Sequence, residues 1–445
     1  MNSKSTKTKI VIAGGGYAGL YAAKYLDKRL ARRPDIEVTL ISRENFILFT
    51  PMLHEVAAGD LSPTDIVNPL RRILRHVNVV QADIQAIDLT TKKIRCVAGV
   101  RNMELEFEFD HLLLTIGSET NFFDLQGVRD WAVTMKSLSD AALLRNRMVE
   151  LLEEASLEKD EATRRELLTF VTAGGGFAGI ETTGAINDFV RETVKFCPSL
   201  REETIRVVGE ELGRYAEQKL SKRKVEIIKG VRVAGYDGSV VKLTDGTSIR
   251  ATTLIWTAGV KPSAAIESLG CKKERGRLLV NEYLSVPGVS GLWAAGDCAA
   301  VPSGEVGQFW PPTAQHGLRE AITAAKNIEA AIVGRPLKPF VFTTLGQLAT
   351  IGRRTGVAMI FGFKFSGLIA WAMWRSIYLM KLPRLAKKLR VMMDWTLDLL
   401  FGREIVQMIT LHDVQALSDR LARIRAQTKR GSEEQTSLAT NVGSS

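Results

Sequence analysis

The residues best placed to do chemistry begin with six glycines. "AGGGYAGL" at 13–20 sets Gly14, Gly16 and Gly19 in the spacing GxGxxG, and "AGGGFAGI" at 173–180 repeats it with Gly174, Gly176 and Gly179. In that spacing the first glycine permits a tight turn, and the second lets backbone approach a pyrophosphate. The third lets a helix pack closely on a strand. The phosphates then meet free amides at the positive end of the following helix. Glycine turns also join strands to helices for steric reasons alone, so one copy is a weak signal. Two copies, each between an apolar strand pattern and an apolar-patterned helix, favour two dinucleotide sites.

Polar residues near these turns extend the reading. After the strand pattern "VTLI" come Ser42, Arg43 and Glu44. Ser42 stands where a ribose-binding carboxylate is often placed, and its hydroxyl is the weaker ligand. Glu44 is the alternative ribose ligand, Arg43 suits adenine or phosphate, and a solvated loop is the plain reading of all three. In "AAGDCAA", Asp297 suits either a ribityl hydroxyl or a helix cap, and Cys298 reads as a structural thiol. Glu181, two residues after Gly179, is favoured electrostatically near a helix start. Its alternative is to contact the ribose of a bound dinucleotide.

The elements around these residues repeat as well. "IEVTLISREN" and "TIRVVG" supply the second strand of each unit, and "HLLLTIG" matches "TTLIWTAGV" as the returning strand. Segments 79–116 and 224–249 read as small antiparallel inserts. The expected fold is α/β, two Rossmann-like dinucleotide-binding domains plus a C-terminal helical membrane-associated region. The expected division is a first domain at 8–125, a second at 126–288, a return to the first at 289–344, a membrane-association region at 345–425 and a disordered tail at 426–445.

Composition sets outer limits. The chain has 445 residues, 45% hydrophobic and 24% charged, with a net charge of +11 that favours an anionic partner. Cys96, Cys197, Cys271 and Cys298 form no CxxC pair, which argues against a redox dithiol, a zinc ribbon or a disulfide-dense fold. No metal site is expected. No apolar leader precedes the first strand pattern, which argues against secretion. The apolar run at 365–374 makes about 15 Å of helix, roughly half a bilayer core. Trp371, Trp374, Arg375 and Tyr378 fall at helical spacings there, and "PRLAKKLR" follows. Aromatic anchoring at a lipid interface and attraction to acidic headgroups fit this pattern; a helix buried against another domain or subunit is the alternative. No nucleic-acid module accompanies the basic charge, so nucleic acid is not the expected partner.

Taken together, these motifs resemble the two-dinucleotide-binding-domain flavoproteins, and more closely the type II (non-proton-pumping) NADH:quinone oxidoreductases. The resemblance runs to about residue 405 and includes "LFTPMLHEVAAG", "LLLTIGS", "IWTAGVKP", "LWAAGDCA" and "PPTAQHG". It implies noncovalent FAD in the first unit and NADH as donor in the second. On the FAD side it implies Gly14, Gly16, Ala18, Gly19, Arg43, Glu44 and Asp297, with Thr50, Pro51 and Gly117 on loops near the flavin. On the donor side it implies Gly174, Gly176, Gly179, Glu181, Glu210 and Gly259. Ala314 and Gln315 match the quinone motif, which makes Glu181 and Gln315 the candidate catalytic residues. It further implies a membrane quinone as acceptor, a homodimer, and a peripheral protein on the cytoplasmic face of the inner or plasma membrane, held at an anionic lipid surface. Departures from the pattern are Ser42, the pair Gly317 and Arg319, and a shortened connection within 203–220.

Overall fold

A computed structural model describes residues 7–210, 213–305, 307–343, 346–401 and 403–408. The tail expected at 426–445 lies outside the described residues. Strand Thr8–Ala13 is apolar from Ile10 to Ala13, and those four residues are buried, as a central parallel strand requires. It sits in a five-stranded parallel sheet of order Leu292–Ala294, His111–Leu114, Thr8–Ala13, Ile36–Ser42, Asn78–Gln81. The second sheet runs Val133–Thr134, Thr253–Trp256, Thr169–Ala173, Arg206–Glu210, Val225–Ile228, again parallel. Each unit carries a three-stranded antiparallel insert, at 83–108 and at 233–250. The repeat read from the glycines is therefore a repeat of whole units.

The duplication reaches single atoms. Gly14 has φ +108°, and a Cβ there would lie 2.4 Å from the Thr115 carbonyl oxygen; Gly174 has φ +118°, and its Cβ would meet Thr257 Oγ1 at 2.3 Å. A Cβ on Gly19 would lie 1.7 Å from Gly14 O, and one on Gly179 1.8 Å from Gly174 O. Helices Tyr17–Arg29 and Phe177–Thr193 start directly above these contacts. Thr115 Oγ1 donates to the carbonyls of Ala13 and Gly14, and Thr257 Oγ1 donates to those of Ala173 and Gly174. An antiparallel ribbon, Ser118–Thr120 with Val260–Pro262, joins the strand ends of the two units.

The C-terminal region carries the expected helices and, ahead of them, a sheet the sequence did not suggest. It opens with an antiparallel sheet of Gly346–Thr350, Gly356–Ile360 and Phe363–Ser366. Phe361 at φ +49° and Gly362 at φ +84° form its last tight turn, whose two positive φ values match the twist of a hairpin. Helices Gly367–Lys381 and Leu385–Phe401 follow, with Pro383 in the break between them. Among the described residues, no helix is long and apolar enough to cross a membrane. The region docks on the second unit where two glycines meet: a Cβ on Gly184 would lie 2.5 Å from Gly352 N.

Candidate active site

The middle glycine of each turn behaves differently from its neighbours. A Cβ on Gly16 or on Gly176 would meet nothing within 4 Å, so both backbones face open space. Each is the N-cap of its helix with no side-chain cap, so the first-turn amides stay available. Ser42 is buried under the first turn, where a Cβ on Gly15 would come within 2.3 Å of its hydroxyl. Arg43 and Glu44 are exposed at the strand end, and Arg43 Nε donates to Asp83 Oδ1 at 3.0 Å.

Asp297 lies within the short 3-10 turn Gly296–Cys298, whose N-cap is Ala295, so the helix-cap reading is wrong. Its Oδ2 accepts from Ser118 Oγ at 2.9 Å, and Lys136 Nζ donates to that same Oγ at 3.0 Å. Burial pushes the Asp297 carboxyl above its ordinary range. Gly296 N donates to Glu320 Oε2 at 2.8 Å, and burial raises that carboxyl to about 7. Helix Ala314–Ile332 crosses this turn so closely that a Cβ on Gly317 would lie 3.0 Å from Gly296 Cα. That contact gives the departure at Gly317 a steric reason. Ala18 packs at the same contact, where a Cβ added to Gly296 would lie 3.2 Å from its methyl. Gly117, at φ +72°, ends the neighbouring strand loop with nothing within 4 Å of an added Cβ. Cys298 is buried beside the carbonyls of Leu114 and Ala295, which raises its thiol to about 12. It is a structural thiol, and all four cysteines are free.

Thr50 and Pro51 open a 3-10 turn that runs into helix Leu53–Ala57. That helix delivers His54 to the second unit. Glu181 Oε1 accepts from Trp374 Nε1 at 3.1 Å and from Thr350 N at 3.3 Å, and its Oε2 lies 3.7 Å from His54 Nδ1. His54 Nε2 shares a 2.9 Å hydrogen bond with Thr350 Oγ1. Burial raises the Glu181 carboxyl to about 8 and lowers His54 to about 3, so the acid is protonated and the ring neutral at pH 7. Glu181 stands beyond the first helical turn, and these contacts to segments remote in sequence replace the helix-start reading.

The same junction takes Trp374 and Arg375 out of the residues expected to anchor in lipid. Trp374 is fully buried, and Arg375 lies 4.2 and 4.5 Å from the ring centroids of Trp371 and Trp395. Arg375 Nη2 is 3.8 Å from Glu55 Oε1, while Trp395 Nε1 donates to Glu55 Oε2 at 3.0 Å. Both residues are held inside because buried carboxyls need them. Lys387 is likewise buried, donating to the Thr64 carbonyl 3.7 Å from Asp65.

Gln315 Nε2 donates to Gly346 O at 3.4 Å, and Ala314 before it is exposed. Arg319 donates to Gln315 O at 2.8 Å with its guanidinium 4.3 Å from the Phe342 ring centroid. His316 is buried between Trp310 and Phe342 and bonded to Thr313 Oγ1. Glu210 is the last residue of its strand, and 211–212 of the shortened connection lie outside the described residues. Gly259, at φ +93°, follows the strand on the other side of Thr169–Ala173. Glu210 and Gly259 therefore flank the second glycine turn. The sequence reading missed His54, Glu55, Thr115 and Thr257. The available signals were a polar pair inside the apolar run "PMLHEVAAG" and the shared threonine of "LTIG" and "WTAG".

Two doubly wound units with open glycine turns, joined by a return strand, define a two-dinucleotide-domain oxidoreductase. The family described as "Pyridine nucleotide-disulphide oxidoreductase" matches residues 8–326, and the one described as "NDH2 C-terminal domain" matches 345–404. The Type II NADH:quinone oxidoreductase Ndh of Mycobacterium tuberculosis is 31% identical, over 95% of each chain. A "Probable NADH dehydrogenase" of Dictyostelium discoideum is 31% identical over 89% of this chain and 90% of its own. The solved structure of NDH2 from Plasmodium falciparum in complex with NADH shares the fold, with a TM-score of 0.82 at 20% identity, covering 90% of this chain and all of that one. The chain belongs to the pyridine nucleotide-disulphide oxidoreductases and, within them, to the type II NADH:quinone oxidoreductase family.

Proposed function

We propose that this protein transfers electrons from NADH to a membrane quinone without pumping protons, using noncovalently bound FAD. The carrying observation is the pair of glycine turns, one per unit, in which the second motif glycine faces open space while the first and third are packed against backbone. The first cradle fits FAD: Gly14, Gly16, Ala18 and Gly19 shape it, Ser118 and Lys136 orient Asp297 toward a ribityl hydroxyl, and Gly117, Thr50 and Pro51 border it. Arg43 and Glu44 lie on the adenosine side. The second fits NADH, with Gly174, Gly176 and Gly179 at the pyrophosphate and Glu210 and Gly259 at its edges. When bound, FAD supplies a two-electron centre able to take hydride from a nicotinamide and reduce a quinone.

The chain's own residues supply placement and a proton. Glu181 Oε1 accepts from two N–H groups, so its proton rests on Oε2, on the His54 side. Ala314 and Gln315, at the start of their helix, border the quinone. We propose the domain division at 125, 288 and 344, with Ile266, Leu269, Leu278 and Leu284, ahead of the second boundary, already packing into the core of the first unit. Exposed Leu368, Ile369, Leu385, Leu389, Met393 and Leu400 give the two C-terminal helices an apolar surface for a lipid interface or a second copy in a homodimer. Lys381, Arg384 and Lys388 place charge beside it for an anionic, cytoplasmic membrane face. Purified protein is expected to be yellow and to release about one FAD per chain on denaturation. Protein that is repeatedly colourless and takes up no added FAD would refute the proposal.

A further inference from the structure

We propose that His54 is a positioning residue that holds Glu181 in its protonated form, acting as the acceptor for the hydrogen on Oε2. The inference rests on reading Glu181 as an acid. Three separate parts of the chain meet at this carboxyl: the helix of Glu181, the helix of His54, and the C-terminal region through Thr350 and Trp374. Trp374 Nε1 and Thr350 N both donate to Oε1, which is thereby the carbonyl-like oxygen. Oε2 faces His54 Nδ1 at 3.7 Å, beyond a direct hydrogen bond but within reach of a small side-chain shift.

The ring's other edge fixes its direction. A neutral imidazole donates at one nitrogen and accepts at the other. If Nε2 carries the hydrogen and gives it to Thr350 Oγ1 at 2.9 Å, Nδ1 presents a lone pair to the acid. The ring is packed edge-on against Trp374, at 5.5 Å between centroids, which limits its rotation. Neutrality is enforced by burial and by Arg375, the nearby cation. The other charged or titratable groups around the junction are Glu55, Asp60, Tyr378 and Arg403. Burial raises Glu55 to about 8 as well, and once ionised it adds negative potential at Glu181, which favours the protonated acid.

The test is infrared titration of the flavin-loaded enzyme, with the Glu181 C=O band isolated by subtracting Glu181→Gln. The wild-type band is expected to fade around pH 8. His54→Phe keeps a ring against Trp374 but removes the acceptor, and should lower that midpoint by a unit or more, a tenfold change in the ionisation constant. His54→Asn, whose side-chain oxygen can stand in for Nδ1, should recover most of the shift. Should His54→Phe fail to load flavin, Thr350→Val strips the partner of Nε2 and should move the midpoint the same way. The pH profile of quinone reduction should move in parallel. An unchanged or raised midpoint would overturn the role of His54 alone. The absence of any band removed by Glu181→Gln would instead overturn the reading of Glu181 as an acid.

Discussion

Trp374 Nε1 donates to Glu181 Oε1 at 3.1 Å, tying a C-terminal helix to the helix that opens the second glycine turn. The bond makes the C-terminal region part of the site's construction. Trp374→Phe should cost about 1–1.5 kcal/mol, the net worth of a hydrogen bond whose acceptor keeps another donor. Trp374→Ala should cost about 3–5 kcal/mol, since it also opens a cavity around a fully buried indole. Thermal melting of both variants measures this; an alanine variant that melts with the wild type would contradict it.

Stability should fall as pH rises through neutrality. Burial raises Glu181 to about 8 and Glu320 to about 7, whereas an unfolded glutamate ionises at about 4.3. A carboxyl raised on folding contributes fully below the unfolded value and loses its contribution as pH climbs through the folded one. Below about pH 6.5 the buried neutral His54, which an unfolded chain would protonate, opposes this trend. From about pH 6.5 to about pH 8 the melting temperature should therefore decline, and Glu181→Gln should flatten that slope. A variant with the wild-type slope would show that Glu181 ionises as readily folded as unfolded.

The glycines of one turn should separate fold from ligand. Gly19→Ala places a Cβ 1.7 Å from a backbone oxygen, so it should destabilise the first unit by several kcal/mol, roughly 3 or more. Gly16→Ala meets no protein atom within 4 Å and should leave melting of the flavin-free protein unchanged while weakening FAD binding about tenfold or more. Circular dichroism and flavin titration distinguish them. Equal losses of fold in both would show that the open face of Gly16 is not a ligand cradle.

Basic residues after the apolar helix should divide in the same way. Neutralising Lys381, Arg384 and Lys388 should weaken binding to anionic vesicles by about 1 kcal/mol per charge near the surface. Lys387→Gln should instead lower the melting temperature, because this lysine is buried against Thr64 and Asp65. Vesicle sedimentation at low salt reads the first effect. Undiminished sedimentation of the triple variant would rule out the basic-run role.

Both dinucleotide units were legible because strand alternation, glycine spacing and returning strands are local signals, repeated once along the chain. The C-terminal sheet was not: Gly346–Thr350 and Gly356–Ile360 are short and mixed in polarity, and pairing alone defines them. Trp374 and Arg375 misled for a related reason. An apolar helix with an aromatic and a cation looks the same from sequence whether it faces lipid or a buried carboxyl. The partners that decide the matter, Glu181 and Glu55, lie in other units of the chain. His54 was hidden because its neighbours Thr350 and Glu181 are remote in sequence.

Rapid mixing of the flavin-loaded protein with NADH, followed by a soluble quinone, tests the central claim most directly. NADH should bleach the flavin absorbance within the turnover time, and the quinone should restore the oxidised spectrum. A flavin that NADH leaves oxidised, or one that NADH reduces but quinone cannot reoxidise, would contradict the proposed activity.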